Sequence, residues 1–274
     1  MSAARSGAVS GSAAGSAAGS VALVTGAARG IGAATVAALV AQGWSVVAVD
    51  IAADDPALPY SLATRAQLDA LAGPQVHPVV ADVRDIDALG AAVAEAEARF
   101  GGLNAAVAVA GVIAGGVPQR EVPLEQERAL LEVNLTGVLN LARVAVPAML
   151  RRPEPRGGRF LAVASAAATR GLPMLAAYCA AKAGVAGLIR ALAVELGSTG
   201  ITANAVSPGS TATDILDESA RLYDLEGAEA FAAQQPLGRL LDPAEVAAML
   251  AFLAGPGGSA VTGAVIPVDG GLAV

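Results

Sequence analysis

The sequence has few of the residues on which several enzyme classes depend. Its 274 residues include one cysteine and one histidine, and only 3% are aromatic. A single cysteine excludes an intramolecular disulfide, argues against a cysteine-rich metal site and fits a reducing cytoplasm. A Ser-His-Asp hydrolase would depend on His77 alone, which we interpret as structural because it begins an apolar run. We therefore predict neither a metal site nor such a hydrolase.

Basic residues and long apolar runs are also scarce. The chain has 17 Lys and Arg against 24 Asp and Glu, a net charge of −7, which argues against binding a nucleic-acid backbone. No stretch offers the roughly 18 uninterrupted apolar residues that a membrane-spanning helix needs. Residues 105–117 come nearest and are broken by glycines. We expect a cytoplasmic protein that binds neither nucleic acid nor membrane.

The first 20 positions are almost wholly Ala, Gly and Ser. Such a segment buries too little apolar surface to offset its ordering entropy, so we predict a disordered tail over residues 1–20. The tail also lacks the apolar region of a signal peptide. Hydrophobic residues make up 55% of the chain, and its composition does not change after residue 20. We therefore predict one domain over residues 21–274.

A glycine-rich turn follows the first apolar segment, Val21–Thr25. A helical pattern and a second apolar strand come next, and that strand ends at Asp50, 18 residues beyond Gly32. This order is typical of dinucleotide binding, because glycines let the backbone approach a pyrophosphate and a helix N-terminus attracts it. The predicted cofactor residues of this region are Gly26, Arg29, Gly30, Ile31, Gly32, Asp50 and Ile51.

The acid at the end of the second strand predicts which dinucleotide binds. A carboxylate there accepts hydrogen bonds from the adenosine ribose and repels a 2′-phosphate, which favours NAD over NADP. Arg29 argues in the other direction, since a guanidinium could pair with the phosphate, but Asp50 followed by the apolar Ile51 outweighs it. We interpret the next polar residues, Asp54 and Asp55, as a solvated loop.

Strand-like and helical segments continue to alternate along the chain. This alternation predicts a Rossmann-type, doubly wound α/β fold, with a parallel sheet of about seven strands and helices on both faces. Asn134 lies inside the longest helical segment, residues 124–150, where its amide competes with the backbone. The remaining predicted strands are residues 76–81, 105–110, 159–164, 201–206 and 264–268.

Tyr178 and Lys182 stand four residues apart in an alanine-rich helical segment. Residues at this spacing share one helix face, and a nearby ammonium lowers the pKa of a phenol. An isolated pair of this kind is usually structural. Here Ser165 ends a strand 13 residues before Tyr178, and ligands of such sheets bind at the carboxyl ends of the strands. We therefore predict that the pair exchanges a proton beside the cofactor.

Several motifs occur in one order: Thr25-Gly26-x-x-x-Gly30-x-Gly32, Asn134, Ser165, Tyr178-x-x-x-Lys182 and Pro208-Gly209-x-x-x-Thr213. Together they resemble the single-domain, NAD(P)-dependent short-chain dehydrogenase/reductase family over residues 21–274. The resemblance implies that Tyr178 is the general acid/base and that Lys182 lowers its pKa and binds the nicotinamide ribose. Ser165 would hold the substrate oxygen, and Asn134 would anchor a proton relay through water. Further cofactor contacts are expected from Asp82, Val83, Ala110, Gly111, Tyr178, Lys182, Pro208, Gly209, Thr211 and Thr213.

One segment departs from that family. Where the family has Asn-Asn-Ala-Gly after the fourth strand, this chain has Ala108-Val109-Ala110-Gly111, which puts local bracing and cofactor retention in question. With Val163–Ala168 and Ala177–Lys182, this change is also similar to actinobacterial members linked to the redox peptide mycofactocin. That similarity implies NAD that does not exchange readily and a redox-carrier partner.

We predict an oxidoreductase that transfers a hydride between NAD(H) and a secondary alcohol or ketone. The substrate pocket is expected at residues 112–120, 166–175 and 214–236, where little charge favours an apolar or alicyclic substrate. An NADPH-dependent carbonyl reductase of the 3-oxoacyl type and a non-catalytic NAD-binding protein stay open as alternatives. The family resemblance also implies a homotetramer formed through residues 124–150 and 176–198.

Overall fold

Seven parallel strands form the centre of the molecule. A computed structural model describes residues 19–274, and within them the strands pair in the order β3-β2-β1-β4-β5-β6-β7. All six neighbouring pairs are parallel. Most of the predicted disordered tail, residues 1–18, lies outside the described residues. The strands are β1 (Val21–Thr25), β2 (Ser45–Asp50), β3 (Val76–Val80), β4 (Ala105–Ala108), β5 (Arg159–Val163), β6 (Thr202–Pro208) and β7 (Val265–Val268).

Helices cover both faces of this sheet, which confirms the predicted doubly wound fold. The third, fifth and sixth helices bury their apolar sides on one face, and the first and eighth on the other. Because both faces are covered, the strands are nearly continuous apolar runs. The helices are α1 (Gly30–Ala41), α2 (Arg65–Asp69), α3 (Ile86–Phe100), α4 (Leu124–Leu131), α5 (Gly137–Leu150), α6 (Ala176–Leu196), α7 (Asp214–Leu222) and α8 (Pro243–Ala254).

The predicted helix over residues 124–150 is interrupted. α4 ends at Leu131, a π-helical turn spans Glu132–Thr136, and α5 begins at Gly137. Asn134 lies in this wider turn, fully buried, and its side chain bonds to the loop after β4 instead of facing solvent. Such single turns are frequent at functional sites in other proteins.

The predicted fourth strand, residues 105–110, is too long. β4 ends at Ala108, because the amide groups of Val109 and Ala110 donate to the Thr25 hydroxyl of β1 and no longer to a neighbouring strand. The chain therefore leaves the sheet two residues earlier than its apolar pattern indicates, at the edge where the functional site lies.

Two helical stretches, Leu124–Leu150 and Ala176–Thr199, are long and apolar enough to cross a bilayer by length and composition. Neither is an uninterrupted apolar run, because charged residues such as Glu132 and Lys182 lie within them. In this fold 56% and 39% of their most apolar windows are buried, as α5 and α6 pack on the sheet. Core helices satisfy the same criterion, so these stretches are weak evidence for a membrane span.

Candidate active site

One cavity of about 680 Å³ lies at the carboxyl edge of the sheet, near the point where strand order reverses between β1 and β4. Its size is within the range of small-molecule and cofactor sites. Every residue that the sequence assigned to catalysis or to the cofactor lines it. These residues are Gly26, Arg29, Gly30, Ile31, Gly32, Asp50, Ile51, Asp82, Val83, Ala110, Gly111, Asn134, Ser165, Tyr178, Lys182, Pro208, Gly209, Thr211 and Thr213.

The glycine-rich turn has the shape that a pyrophosphate requires. Gly26 has a φ of +63°, and a Cβ there would lie 2.6 Å from the Ala110 Cα, so a side chain would be both strained and blocked. α1 begins at Gly30 without a side-chain cap on its first amide groups. Free amide groups at a helix N-terminus attract a phosphate. This end of the cavity therefore fits a dinucleotide.

Asp50 fixes the turn to the end of β2. Its carboxylate accepts hydrogen bonds from the Ala28 amide at 3.0 Å and from the Ala52 amide at 3.1 Å, and the residue is buried. Arg29, which could have favoured a phosphate, forms an ion pair with Asp214 at 2.5 Å. The negative charge of Asp50 therefore faces the cavity while Asp214 neutralises the nearby guanidinium.

The loop after β4 is braced despite its missing asparagines. The Thr25 hydroxyl accepts from the amides of Val109 and Ala110 at 3.2 and 3.3 Å. The side-chain amide of Asn134 accepts from the Val112 amide at 3.0 Å and donates to the Val112 carbonyl at 2.9 Å. These contacts hold the loop against β1 and the π-helical turn. The part of Asn134 in a proton relay stays a prediction.

Ser165, Tyr178 and Lys182 meet beside this loop. Ser165 follows β5, and its hydroxyl accepts from the Ala167 amide at 3.1 Å and lies near enough to the Tyr178 phenol to lower the pKa of that phenol in part. Lys182, the only lysine of the chain, donates from Nζ to the Val163 carbonyl at 3.0 Å and lies 5.8 Å from the centroid of the Tyr178 ring. Two hydroxyls and an ammonium thus converge where a reacting group could be held.

The effect of Lys182 on the pKa of Tyr178 stays a prediction. Burial raises the pKa of the Tyr178 phenol, and the hydrogen bond with Ser165 opposes this only in part. Burial also lowers the pKa of Lys182 to about 8. Both charged forms lose the solvation of water, and the ammonium is bonded to a carbonyl instead of the phenol oxygen.

The adenosine end of the cavity contains an ion-pair network that the sequence analysis missed. Arg84 donates to both carboxylate oxygens of Asp82, at 2.6 Å in the shortest contact, and to Asp55 at 2.7 Å. Asp55 is only 5% exposed, so its assignment to a solvated loop is wrong. All three residues line the cavity. No sequence pattern predicts this network, since Asp55 and Arg84 are 29 residues apart and meet only in the folded chain.

The other end of the cavity is mostly apolar. Its wall comes from the loop before α6, from α7 and from the helical turn Ala228–Gln234, whereas of residues 112–120 only Val112 and Ile113 line the cavity. Tyr223 and Phe231 pack edge to face with centroids 6.2 Å apart. The main apolar lining residues are Leu172, Pro173, Leu175, Ile215, Leu216, Leu225 and Phe231. Arg170 also lines this end, a charge that the sequence analysis overlooked.

Potential metal ligands do not cluster in the part of the chain that the structure describes. No group of three or more His, Cys, Asp and Glu side chains there could hold a metal ion. The chemistry that can be derived from the described residues is therefore that of hydroxyls, an ammonium and a dinucleotide-shaped cavity.

Comparison with known proteins gives the family. A family model described as Enoyl-(Acyl carrier protein) reductase matches residues 26–273. The chain belongs to the short-chain dehydrogenase/reductase family. It is an NAD(P)-dependent oxidoreductase of that family, and its cofactor is a nicotinamide dinucleotide.

Three relatives of this short-chain dehydrogenase illustrate its range. It is 41% identical to cis-4-hydroxycyclohexanecarboxylate dehydrogenase of Sinomonas cyclohexanicum, over 92% of this chain and 95% of that protein. Its fold matches carveol dehydrogenase from Mycobacterium avium in complex with NAD, with a TM-score of 0.88, 33% identity and coverage of 94% and 99%. It also matches a blue fluorescent protein from a metagenomic library in complex with NADPH, with a TM-score of 0.81, 32% identity and coverage of 95% and 100%.

Proposed function

We propose that this short-chain dehydrogenase interconverts alicyclic secondary alcohols and ketones with NAD(H). The observation that carries the proposal is the meeting of Ser165, Tyr178 and Lys182 at the junction between a dinucleotide-shaped cleft and an apolar wall. Two relatives are named for alicyclic alcohols, carveol and a hydroxycyclohexanecarboxylate. Asn134 is the fourth catalytic candidate. The presence of all four residues argues against the alternative of a non-catalytic NAD-binding protein.

The side chains of the site handle the proton. The bound nicotinamide supplies the hydride acceptor or donor. The hydroxyls of Ser165 and Tyr178 hold the alcohol oxygen, and Tyr178 as phenolate removes its proton. Lys182 would bind the nicotinamide ribose and, as an ammonium, would stabilise the phenolate by its charge. The apolar wall excludes water and holds the ring of the substrate in place.

A substrate panel tests this function. Purified protein with NAD is expected to oxidise neutral alicyclic secondary alcohols to ketones, followed by NADH absorbance and by mass spectrometry of the product. Primary and linear secondary alcohols of equal carbon number serve as controls for the ring. Turnover confined to 3-oxoacyl thioesters with NADPH would support the carbonyl reductase alternative instead.

Cofactor choice gives a separate prediction. Asp50 is buried beside the turn, and the nearby Arg29 is already paired with Asp214, so a 2′-phosphate would meet an uncompensated carboxylate. Juxtaposed like charges cost several kcal/mol, which corresponds to roughly 100-fold weaker binding of NADP than of NAD. Asp50→Asn keeps an acceptor and removes the charge, so the Kd ratio should fall by at least about tenfold.

Isothermal titration of both dinucleotides measures this ratio. Asp54→Asn is the matched control, because Asp54 accepts only from the Leu62 amide within its own loop and is exposed. Equal binding of NAD and NADP by the wild-type protein would contradict the role of Asp50.

We infer that NAD leaves this site slowly, because the loop of residues 51–64 is tied down around it. Asp55 pairs with Arg84, and the Ser61 carbonyl accepts from Arg29 at 3.2 Å. The Tyr60 hydroxyl, whose pKa burial raises to about 12, accepts from the Ile113 amide at 2.9 Å. The three partners all line the cavity. These ties support the similarity to members that retain NAD.

The double variant Asp55→Asn and Tyr60→Phe is expected to release NAD at least about tenfold faster, since each weakened hydrogen bond costs about 1 kcal/mol. NAD that copurifies with each protein is counted by mass spectrometry, and its release is followed after dilution into labelled NAD. Asp69→Asn, an exposed change on α2, is the control. Equal release from all three proteins would contradict the inference.

The homotetramer, the redox-carrier partner and the cytoplasmic location stay predictions. Leu139 of α5 is 41% exposed and Val194 of α6 is 85% exposed. Single exposed apolar side chains are common on protein surfaces, so an interface on these two helices rests on the family resemblance. Sedimentation of the full chain would measure the number of subunits.

A further inference from the structure

The charged side chains that line the cavity are satisfied within the protein, with one exception. Arg29 and Arg84 form ion pairs with carboxylates, and the buried Lys182 donates to a carbonyl. Arg170 takes part in none of the ion pairs found among residues 19–274. Its guanidinium donates from Nη1 to the Leu272 carbonyl at 2.7 Å. A guanidinium has five N–H donors, so most of them are available to a ligand.

Arg170 is held close to the reacting groups. It follows the short turn Ala166–Ala168 that begins after Ser165, and its carbonyl lies 3.9 Å from the sulfur of Cys179, the residue next to Tyr178. Its side chain is fixed on the other side by the contact with Leu272. Arg170 therefore lines the cavity from the segment that joins Ser165 to the helix of Tyr178.

The remainder of the apolar end of the cavity has little positive charge to offer. Its wall is formed mainly by apolar residues such as Leu172, Leu216 and Phe231, and the chain as a whole carries a net charge of −7. An anionic substrate would be repelled by the overall field of the protein. A single cation at the mouth of an apolar pocket offsets this repulsion locally and gives the substrate one orientation.

We propose that Arg170 binds a carboxylate of the substrate, and that the preferred substrates are alicyclic hydroxy acids. The hydroxyl lies at Ser165 and Tyr178, the ring packs on the apolar wall, and the carboxylate reaches Arg170 from the far side of the ring. A guanidinium matches a carboxylate through two parallel hydrogen bonds. This assignment rests on the proposed oxidation of alicyclic alcohols and adds the second anchoring point of the substrate.

Kinetics with a charged and a neutral substrate test the assignment. Wild-type kcat/KM should be higher for 4-hydroxycyclohexanecarboxylate than for 4-methylcyclohexanol. Arg170→Met should remove this preference, raising KM for the acid roughly 10- to 100-fold, as expected for lost hydrogen bonds to a charged group. Its kcat should be kept, and its kinetics with the neutral alcohol should change by less than about twofold.

Charge and position are controlled separately. Arg170→Lys keeps the charge without the planar fork, so an intermediate KM is expected. Arg190→Met removes an exposed arginine of the same α6 helix as Tyr178 and should leave both substrates unaffected. Because Arg170 is exposed, the preference should also shrink with salt, since the screening length falls from about 10 Å at 0.1 M to about 3 Å at 1 M.

Binding without turnover separates this proposal from the proposed function. Cyclohexanecarboxylate, which has no hydroxyl, and its neutral carboxamide are titrated into the NAD-loaded protein. Tighter binding of the carboxylate, lost in Arg170→Met, supports the assignment even if no alicyclic alcohol is oxidised. Equal binding of the two, absent binding of both, or a carboxylate preference that survives in Arg170→Met overturns it, even where neutral alicyclic alcohols are good substrates.

Discussion

Replacing Tyr178 by phenylalanine is expected to lower kcat for alcohol oxidation by about 10²- to 10⁴-fold, the share that a placed acid/base contributes. The phenol lines the same cavity as the Ser165 hydroxyl, which influences its pKa. Phenylalanine keeps the ring and its packing but has no oxygen. Because the change leaves the glycine-rich turn and Asp50 untouched, NAD should bind nearly as well as to the wild-type protein.

Stopped-flow measurement of NADH formation and titration of NAD together test this expectation. Cys179→Ser, one position along α6, is the control for disturbance of the helix. A Tyr178→Phe protein that keeps turnover within about tenfold of wild type would fall outside the range for a lost acid/base and would contradict the assignment. Loss of NAD binding would instead place the tyrosine in cofactor retention.

The second large effect is expected from Lys182→Met, which should raise the free energy of unfolding while abolishing most turnover. Burial lowers the pKa of Lys182 from 10.5 to about 8, so the folded state disfavours the ammonium. At about 1.4 kcal/mol per pKa unit this costs about 3 kcal/mol at pH 7. Losing the bond from the charged ammonium to Val163 costs the variant about 2 kcal/mol, so a net gain of about 1 kcal/mol is expected from the two terms.

The pH dependence identifies the cause. Below pH 8 the lysine is protonated in both states, so the full penalty applies and the advantage of the variant is constant. Between pH 8 and 10.5 the folded wild-type protein loses its proton before the unfolded chain does. Its stability therefore rises with pH, and the advantage of Lys182→Met shrinks over that window. Above pH 10.5 the penalty is absent.

Urea denaturation of NAD-free protein at pH 7 and pH 10 measures both quantities. Lys182→Arg is a second variant that keeps the charge and should not gain stability. A variant that is less stable than wild type at pH 7 would show that the hydrogen bond to Val163 outweighs the desolvation of the ammonium.

Much of the fold and site could be predicted because the decisive residues lie at strand ends. A parallel sheet brings the carboxyl ends of its strands to one edge, so Gly26, Asp50 and Ser165 are neighbours once the strands are recognised. Helix spacing puts Tyr178 and Lys182 on one face, and Ser165 at a nearby strand end makes a role beside the cofactor the better interpretation. None of these assignments requires knowledge of side-chain contacts.

The residues that were missed depend on contacts between distant segments. The sequence does not show that Asp55 forms an ion pair with Arg84. Nor does it show that the Tyr60 hydroxyl accepts a hydrogen bond from the amide of Ile113, 53 residues away. Arg170 is the one charged residue in a segment of small and apolar residues, 166–175, and no sequence pattern indicated that it lines the cavity. Asn134 inside a helical segment indicated an irregularity there. The sequence did not predict a π-helical turn, in which the side-chain amide of Asn134 bonds to the backbone of Val112.

The burial of Lys182 makes this protein unusual as a target of amine chemistry. It is the only lysine of the chain and is 4% exposed, so an acylating reagent can modify an ε-amino group only by entering the cofactor cavity. Amine-directed immobilisation or crosslinking would therefore either act through the α-amino group or destroy the site. Conversely, protection of one lysine-containing peptide from acylation would report directly whether the cavity is filled.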